Sequence, residues 1–208
     1  MLRQSVRRIV LPGMLAGLCL ALSGCPFVGG GPAFIRDAAL DSAIRAELGK
    51  PLGILSQADL LDVTEINAAG LNIQTLAGIE GCRNLTVLDL RTNNVRSITP
   101  LQNLVNLRVL DLGNNNVAEI TALSGLFLLE ELTLSGPNMD IVDWSPLAAN
   151  ATNGGLGAGD IVVLPTTTTL DSEGQVLDYW EQHYLTLLDL GVEVLFDEMG
   201  TTGASSGV

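Results

Sequence analysis

Two carboxylates at a fixed spacing are the residues of this sequence best placed to do chemistry. Asp89 and Asp111 stand 22 residues apart, each within Leu-Asp-Leu, and Arg91 follows Asp89 by two residues. On neighbouring strands the two carboxylates would lie about 4.8 Å apart. Like charges that close repel unless a cation joins them. Two interpretations stay open: the pair binds a Lys or Arg of a partner, or the carboxylates are simply solvated.

Nucleophiles, bases and metal ligands are sparse. His183 is the only histidine, and Glu181, two residues earlier, would not share its face on a helix. Cys82 falls on an apolar position, so we expect a buried thiol. The run from Gly154 to Asp160 lacks the following helix and the Lys-Ser/Thr pair of a phosphate loop, so we expect a turn. We therefore predict no enzymatic activity, no metal and no cofactor.

The two aspartates belong to a pattern that repeats every 22 residues between residues 64 and 144. Within Leu-Asp-Leu the leucines should be buried and the aspartate should face outward, as on a half-buried strand. The asparagine that follows can bond backbone groups where the chain leaves the strand, so we interpret it as structural. The later apolar positions of the repeat should also turn back into the core. The repeated positions are Leu88, Leu110 and Leu132; Leu90, Leu112 and Leu134; Asn93 and Asn115; Val95, Val117 and Met139; and Ile98, Ile120 and Val142.

The pattern Leu-x-Leu-x-x-Asn-x-Val-x-x-Ile resembles the leucine-rich repeat, and its length resembles the bacterial repeats of the internalin type. One turn cannot bury both sides of its apolar layer, so four turns must stack. The resemblance implies the α/β class: a leucine-rich repeat solenoid with a short parallel sheet, an N-terminal helical cap and a C-terminal strand–helix–strand cap. In the fourth turn Pro137 replaces the asparagine, with Asn138 beside it, so we expect a distorted loop there.

Both ends of the repeats carry signals for caps. Asp37 is placed as the N-cap of one helix, and residues 56–59, Ser-Gln-Ala-Asp, match a capping box for a second. After the repeats, an order similar to that of related bacterial repeat proteins predicts a strand over 161–164, a loop over 166–169, a helix over 173–190 and a strand over 191–196.

Residues 1–24 are organised like a bacterial export signal. Three arginines precede an apolar stretch that is too short to span a bilayer comfortably, and the stretch ends in Leu22-Ser23-Gly24-Cys25. This tetrapeptide resembles the lipobox, which implies a diacylglyceryl group on Cys25 and cleavage before it. The alternative is an ordinary secretory signal with a chance cysteine. Pro26 stands where Asp would resemble an inner-membrane retention signal, so we expect an outer-membrane anchor, with the domain periplasmic or surface-exposed.

These signals divide the chain into six segments. We predict a lipoprotein signal peptide over 1–24, a flexible tether over 25–33, a helical cap over 34–63, repeats over 64–147, a C-terminal cap over 148–197 and a disordered tail over 198–208.

The net charge constrains the partner. The formal charge of the whole chain is −13, and removal of residues 1–24 leaves 7 basic and 23 acidic residues, a charge of −16. An acidic surface argues against nucleic acid as a partner. It also argues against adhesion to anionic lipid, except through acyl chains.

The outward strand positions form the predicted protein-binding face. This face combines an apolar pair (Val87, Val109), an acidic pair (Asp89, Asp111) and Arg91, which suits a protein partner with an apolar centre and a basic rim. A sugar-binding face would instead be expected to present aromatic side chains. We predict a lipid-anchored protein of the cell envelope that recognises another protein, although a structural envelope lipoprotein without a specific ligand would have the same sequence. The predicted contact residues are Val87, Asp89, Arg91, Val109, Asp111, Glu131 and Thr133.

Overall fold

The computed structural model describes residues 31–170 and 172–197, apart from the side chains at positions 167, 168 and 179. The predicted export signal, the predicted acylation site at Cys25, most of the predicted tether and the predicted tail therefore lie outside the described residues. Within the described ranges, no helix combines the length and apolar character that a membrane crossing requires.

In the described part of the chain, parallel strands form one six-stranded sheet in sequence order. The strands are β1 (Glu65–Asn67), β2 (Val87–Asp89), β3 (Val109–Asp111), β4 (Glu131–Thr133), β5 (Ile161–Leu164) and β6 (Glu193–Phe196). From β1 to β4, paired residues are 22 apart, as in Leu88 with Leu110, which confirms the predicted register. Between β4 and β5 the offset changes: Leu132 pairs with Val162.

The repeated apolar positions form the core. The two leucines of each repeat, the following Val or Met and the isoleucines Ile98 and Ile120 are all buried, as predicted. On the side of each turn opposite the sheet, the chain forms short 3-10 helices at Ile79–Gly81, Thr99–Leu101 and Thr121–Gly125. Their leucines and isoleucines close the same core.

The fourth turn departs from the pattern, and our prediction for Val142 is wrong. Val142 is 72% exposed, and its neighbour Ile141 takes the buried position. In the third turn Asn116 N donates to Val95 O, 21 residues earlier, but Asp140, not Asn138, donates to Val117 O. Pro137 has no side-chain acceptor, so the loop follows a different path and shifts the next residues.

Helices cap the N-terminal end of the solenoid as predicted. In α1 (Ala38–Glu47), the side chain of Asp37 accepts hydrogen bonds from Ala39 N and Leu40 N. In α2 (Gln57–Leu61), both bonds of the Ser56–Asp59 capping box are formed. The two helices place Leu40, Ile44 and Leu60 against the first turn of the core.

In the described part of the C-terminal cap the helices are α3 (Ser145–Thr152), α4 (Thr166–Thr169) and α5 (Asp178–Asp189). The predicted loop over 166–169 is wrong, because Asp197 accepts hydrogen bonds from the backbone and hydroxyl of Thr166 and caps a helical turn there. The helix predicted from residue 173 begins five residues later, because Leu170 pairs with Val176 and Leu177 N donates to Thr169 O.

A buried asparagine that sequence reasoning did not single out connects this cap to the repeats. Asn150 donates to Leu123 O and Leu126 O and accepts from Leu156 N. A Cβ at Gly155 would lie 2.1 Å from the Asn150 amide oxygen. The glycine-rich run is therefore a turn, as predicted, and one of its glycines makes room for this amide.

Candidate functional site

The outward side chains of the sheet make one surface, which we call the outward sheet face. Each three-residue repeat strand places a buried leucine or isoleucine between two less buried residues. The strand register aligns these residues in two rows. The first row is Glu65, Val87, Val109, Glu131, Ile161 and Glu193; the second is Asn67, Asp89, Asp111, Thr133, Val163 and Leu195.

The predicted contact residues lie together on this face. Val87 and Val109 are directly paired and half-buried, with Glu131 next in the same row. Asp89 and Asp111 are paired one step along the strands, with Thr133 next to them. The structure therefore brings the apolar pair and the acidic pair side by side.

Arg91 supplies a cation to the acidic pair from within the chain. Its Nη2 lies 2.8 Å from Asp89 Oδ2 and its Nε 3.1 Å from Asp89 Oδ1. The same Nε lies 3.6 Å from Asp111 Oδ2. The repulsion expected between the two carboxylates is therefore reduced without a partner. More than half of the Arg91 side chain remains exposed, so the cluster is still accessible.

Both carboxylates also hold the chain where it leaves the strand. Asp89 Oδ1 accepts from Arg91 N at 3.0 Å, and Asp111 Oδ1 accepts from Gly113 N at 2.9 Å. These are Asx turns, in which a side chain takes the place of a backbone acceptor. Burial raises the pKa of Asp111 and the charge of Asp89 adds to this rise, whereas the Gly113 N–H and Arg91 oppose it. This aspartate is therefore partly structural.

Beneath the face, the asparagines act on the backbone, as predicted. Asn115 donates to Leu90 O and Leu112 O and accepts from Val95 N at 3.0 Å. Asn93 makes the equivalent bonds one turn earlier, including one from Ile73 N at 2.9 Å. Because both are at most 5% exposed, they do not contribute to a surface site.

A left-handed residue recurs one position before these asparagines. The φ angles are 69° at Gly70, 57° at Thr92, 54° at Asn114 and 109° at Gly136. These residues stand 22 apart, so the sharp exit from each strand is part of the repeat. The fourth turn keeps this bend although it lacks the asparagine. Sequence reasoning predicted a bend at the asparagine but missed the left-handed residue before it, because two of the four positions are not glycine.

The face continues beyond the predicted residues onto β5 and β6. Ile161 and Val163 continue the two rows on β5, and Leu195, 42% exposed, ends the second row on β6. Sequence reasoning missed them because all four residues of β5 are apolar, so alternation does not reveal which side faces outward. The C-terminal half of the face is thus more apolar than the acidic middle.

Cys82 and His183, the other candidates for chemistry in the sequence, lie away from the outward sheet face. Cys82 is fully buried, and this burial raises its thiol pKa to about 12. His183 is half-buried on α5. Among the described residues, no group of three or more His, Cys, Asp or Glu side chains could hold a metal ion.

Comparison with known proteins agrees with the geometry. The family model described as leucine-rich repeats in two copies matches residues 83–126. The fold is similar to that of internalin C2 from Listeria monocytogenes, with a TM-score of 0.60 and 24% identity over 82% of this chain and 72% of that one. A second internalin of that organism, InlF, gives a TM-score of 0.51 and 25% identity over 81% of this chain. A search of curated proteins finds no match.

The chain thus contains leucine-rich repeats, and its six-stranded solenoid, as described, matches internalin structures. It spans 54% of the length of InlF.

Proposed function

We propose that the protein is a lipid-anchored protein of the bacterial envelope that recognises another protein through its outward sheet face. One observation supports the recognition part of this proposal: the register of the sheet joins Val87, Val109, Ile161 and Val163 with charged neighbours into a continuous, partly exposed surface. Protein interfaces combine an apolar centre with a polar rim in this way.

The charge of the face indicates the chemistry of the partner. Exposed Glu65, Glu131 and Glu193 lie in the same row as the valines. Arg91 is already engaged with Asp89 and Asp111. The partner would place an apolar centre on the valines and a basic rim over the glutamates, and charge complementarity would mainly raise the association rate.

The proposed location in the cell envelope rests on the sequence that precedes the repeat domain. The Leu-Ser-Gly-Cys tetrapeptide supports acylation of Cys25, and Pro26 supports an outer-membrane location, with the domain periplasmic or surface-exposed. In the acylated protein, mass spectrometry would find an N-terminal diacylglyceryl cysteine, and Cys25→Ser would release the protein from the membrane fraction. A mature protein that still begins at Met1 would contradict the proposed lipid anchor and envelope location.

The binding proposal can be tested with a matched pair of valines. Val109→Arg places a guanidinium on the face, directly opposite Glu131, so the fold should tolerate it. Val105→Arg makes the same change at a valine that is 51% exposed outside the strands. Partners would be captured from envelope and host extracts by cross-linking, identified by mass spectrometry, and then tested as purified proteins.

We expect Val109→Arg to abolish the complex and Val105→Arg to leave it intact. Equal binding by both variants would show that the outward sheet face is not the binding surface. Failure of the wild-type protein to capture any partner would favour the structural envelope role over specific recognition.

A further inference from the structure

A loop in the N-terminal cap presents two large aliphatic side chains to the surface. Leu52 is 88% exposed and Ile54 is 84% exposed. The loop is nevertheless held in place, because Arg45 Nη1 donates to Gly53 O at 3.0 Å. Arg45 is itself fixed by a 2.6 Å ion pair with Asp41. Apolar side chains held outward on a fixed loop indicate an interaction site.

Phe34 extends this apolar surface. Pro32 pairs in antiparallel fashion with Ser56, flanked by the bond from Ala33 N to Leu55 O. Phe34 directly follows Ala33 and Ile54 directly precedes Leu55, so both residues lie at the same end of this short ribbon. Phe34 is 78% exposed. We call Phe34, Leu52 and Ile54 the apolar loop patch.

The chain enters the domain beside this patch. Gln57 N donates to Gly31 O at 3.0 Å, so the first described residue is bonded to the same ribbon. Gly31 follows Cys25 by six residues. Six residues reach at most about 20 Å when fully extended. Acyl chains on Cys25 would therefore keep the patch close to the membrane surface.

We propose that the apolar loop patch inserts into the surface of the membrane that holds the lipid anchor. This inference rests on the proposed acylation of Cys25. The domain as a whole is acidic, but Arg45 and Lys50, which contact or flank the loop, are paired with Asp41 and Asp59, so the charges beside the patch are balanced. Lipid chains and an apolar patch together make a two-part attachment, which holds better than one part alone.

The test uses the full-length protein, purified with its acyl chains and reconstituted into phosphatidylcholine vesicles. Two variants, L52C and V105C, carry a polarity-sensitive nitrobenzoxadiazole label on the new cysteine. Cys82 should not react, because it is fully buried and its thiol pKa is raised to about 12. Acylation blocks the thiol of Cys25. Val105 is the matched control, an exposed aliphatic residue within the repeats.

We expect the L52C label to shift to the blue and to lose most of its fluorescence to spin-labelled lipid, while the V105C label does neither. Mass spectrometry of the N-terminal peptide measures acylation separately. An acylated protein whose L52C label is not quenched would overturn the inference and leave the lipid anchor standing.

Three other results would also overturn it. Equal quenching of both labels would mean that the domain lies on the membrane without a preferred side. A blue shift that grows with protein concentration, without quenching by lipid, would mean that a second copy of the chain covers the patch. An unacylated Cys25 would remove the proposed anchor and this inference together.

Discussion

In both the repeats and the C-terminal cap, side chains form hydrogen bonds with the backbone near the strand ends. The two regions differ in how far apart in the sequence the bonded residues are. Asn115 uses its own turn and the turn before it, reaching back at most 25 residues to Leu90 O. In the cap, Asp197 accepts from Gly136 N, 61 residues earlier, and from Thr166 N, 31 residues earlier. Each central repeat therefore supports its neighbour, whereas the end of the fourth turn depends on residues that arrive only after β6.

The largest expected effect tests the core of the repeats. Leu110 is 1% exposed between two flanking strands, so Leu110→Ala should lower the free energy of unfolding by about 2–5 kcal/mol. Asp111→Asn keeps an oxygen for Gly113 N and should cost less than about 1 kcal/mol. Urea unfolding followed by circular dichroism measures both, and equal losses would contradict the inward and outward assignment.

The next effect tests the asparagines. Asn115→Ala leaves Val95 N, Leu90 O and Leu112 O without their side-chain partner, at a cost of about 2–3 kcal/mol. Asn94→Ala is the control, because Asn94 is exposed and bonds the side chain of Asn72. The same unfolding measurement should show little change for the control. A small loss for Asn115→Ala would mean that the strand ends do not need this amide.

A smaller and more local effect is expected in the cap. Asp197→Ala removes the acceptor for Gly136 N and for Thr166 N and should cost about 1–2 kcal/mol. Hydrogen exchange should speed up in β5, β6 and the fourth turn but not in β2. Asp197→Asn keeps one acceptor oxygen, so its exchange rates in these segments should lie between those of the wild type and those of Asp197→Ala. Equal acceleration throughout the sheet would show that repeats and cap unfold as one unit.

The smallest effect is a pH dependence confined to the repeats. The folded state raises the pKa of Asp111 above its ordinary value of 3.8, chiefly through burial. The folded protein therefore binds this proton more tightly than the unfolded chain, and stability is lost as pH rises from below 3.8 through the folded pKa. Asp111→Asn has no carboxyl group at this position, so it should not show this loss of stability. The test is urea unfolding of the wild type and of Asp111→Asn at a series of pH values. If their difference in unfolding free energy did not change with pH, the raised pKa of Asp111 would be contradicted.

The sequence predicted the features that depend on the repeat period or on neighbouring residues. The buried leucines 22 residues apart, the capping box at Ser56 and the structural role of the asparagines all follow from such patterns, and the structure confirms them. The shift at Val142 could not be predicted, because it follows from the missing asparagine at Pro137. The helix at 166–169 could not be predicted, because it depends on Asp197, which is distant in the sequence. Ile161 and Val163 were missed on the face for the same reason, since pairing with β4 alone decides which side they take.

The asparagines also limit which lengths of chain can be inserted or deleted. From β1 to β3, where Asn93 and Asn115 join successive turns, the paired strands stay 22 residues apart, so a change of another length would place the wrong side chains inward. After Pro137 the offset grows, with Leu132 paired to Val162 and Val162 to Val194. Whole 22-residue units should therefore be gained or lost before Pro137, whereas segments of other lengths can be accommodated after it.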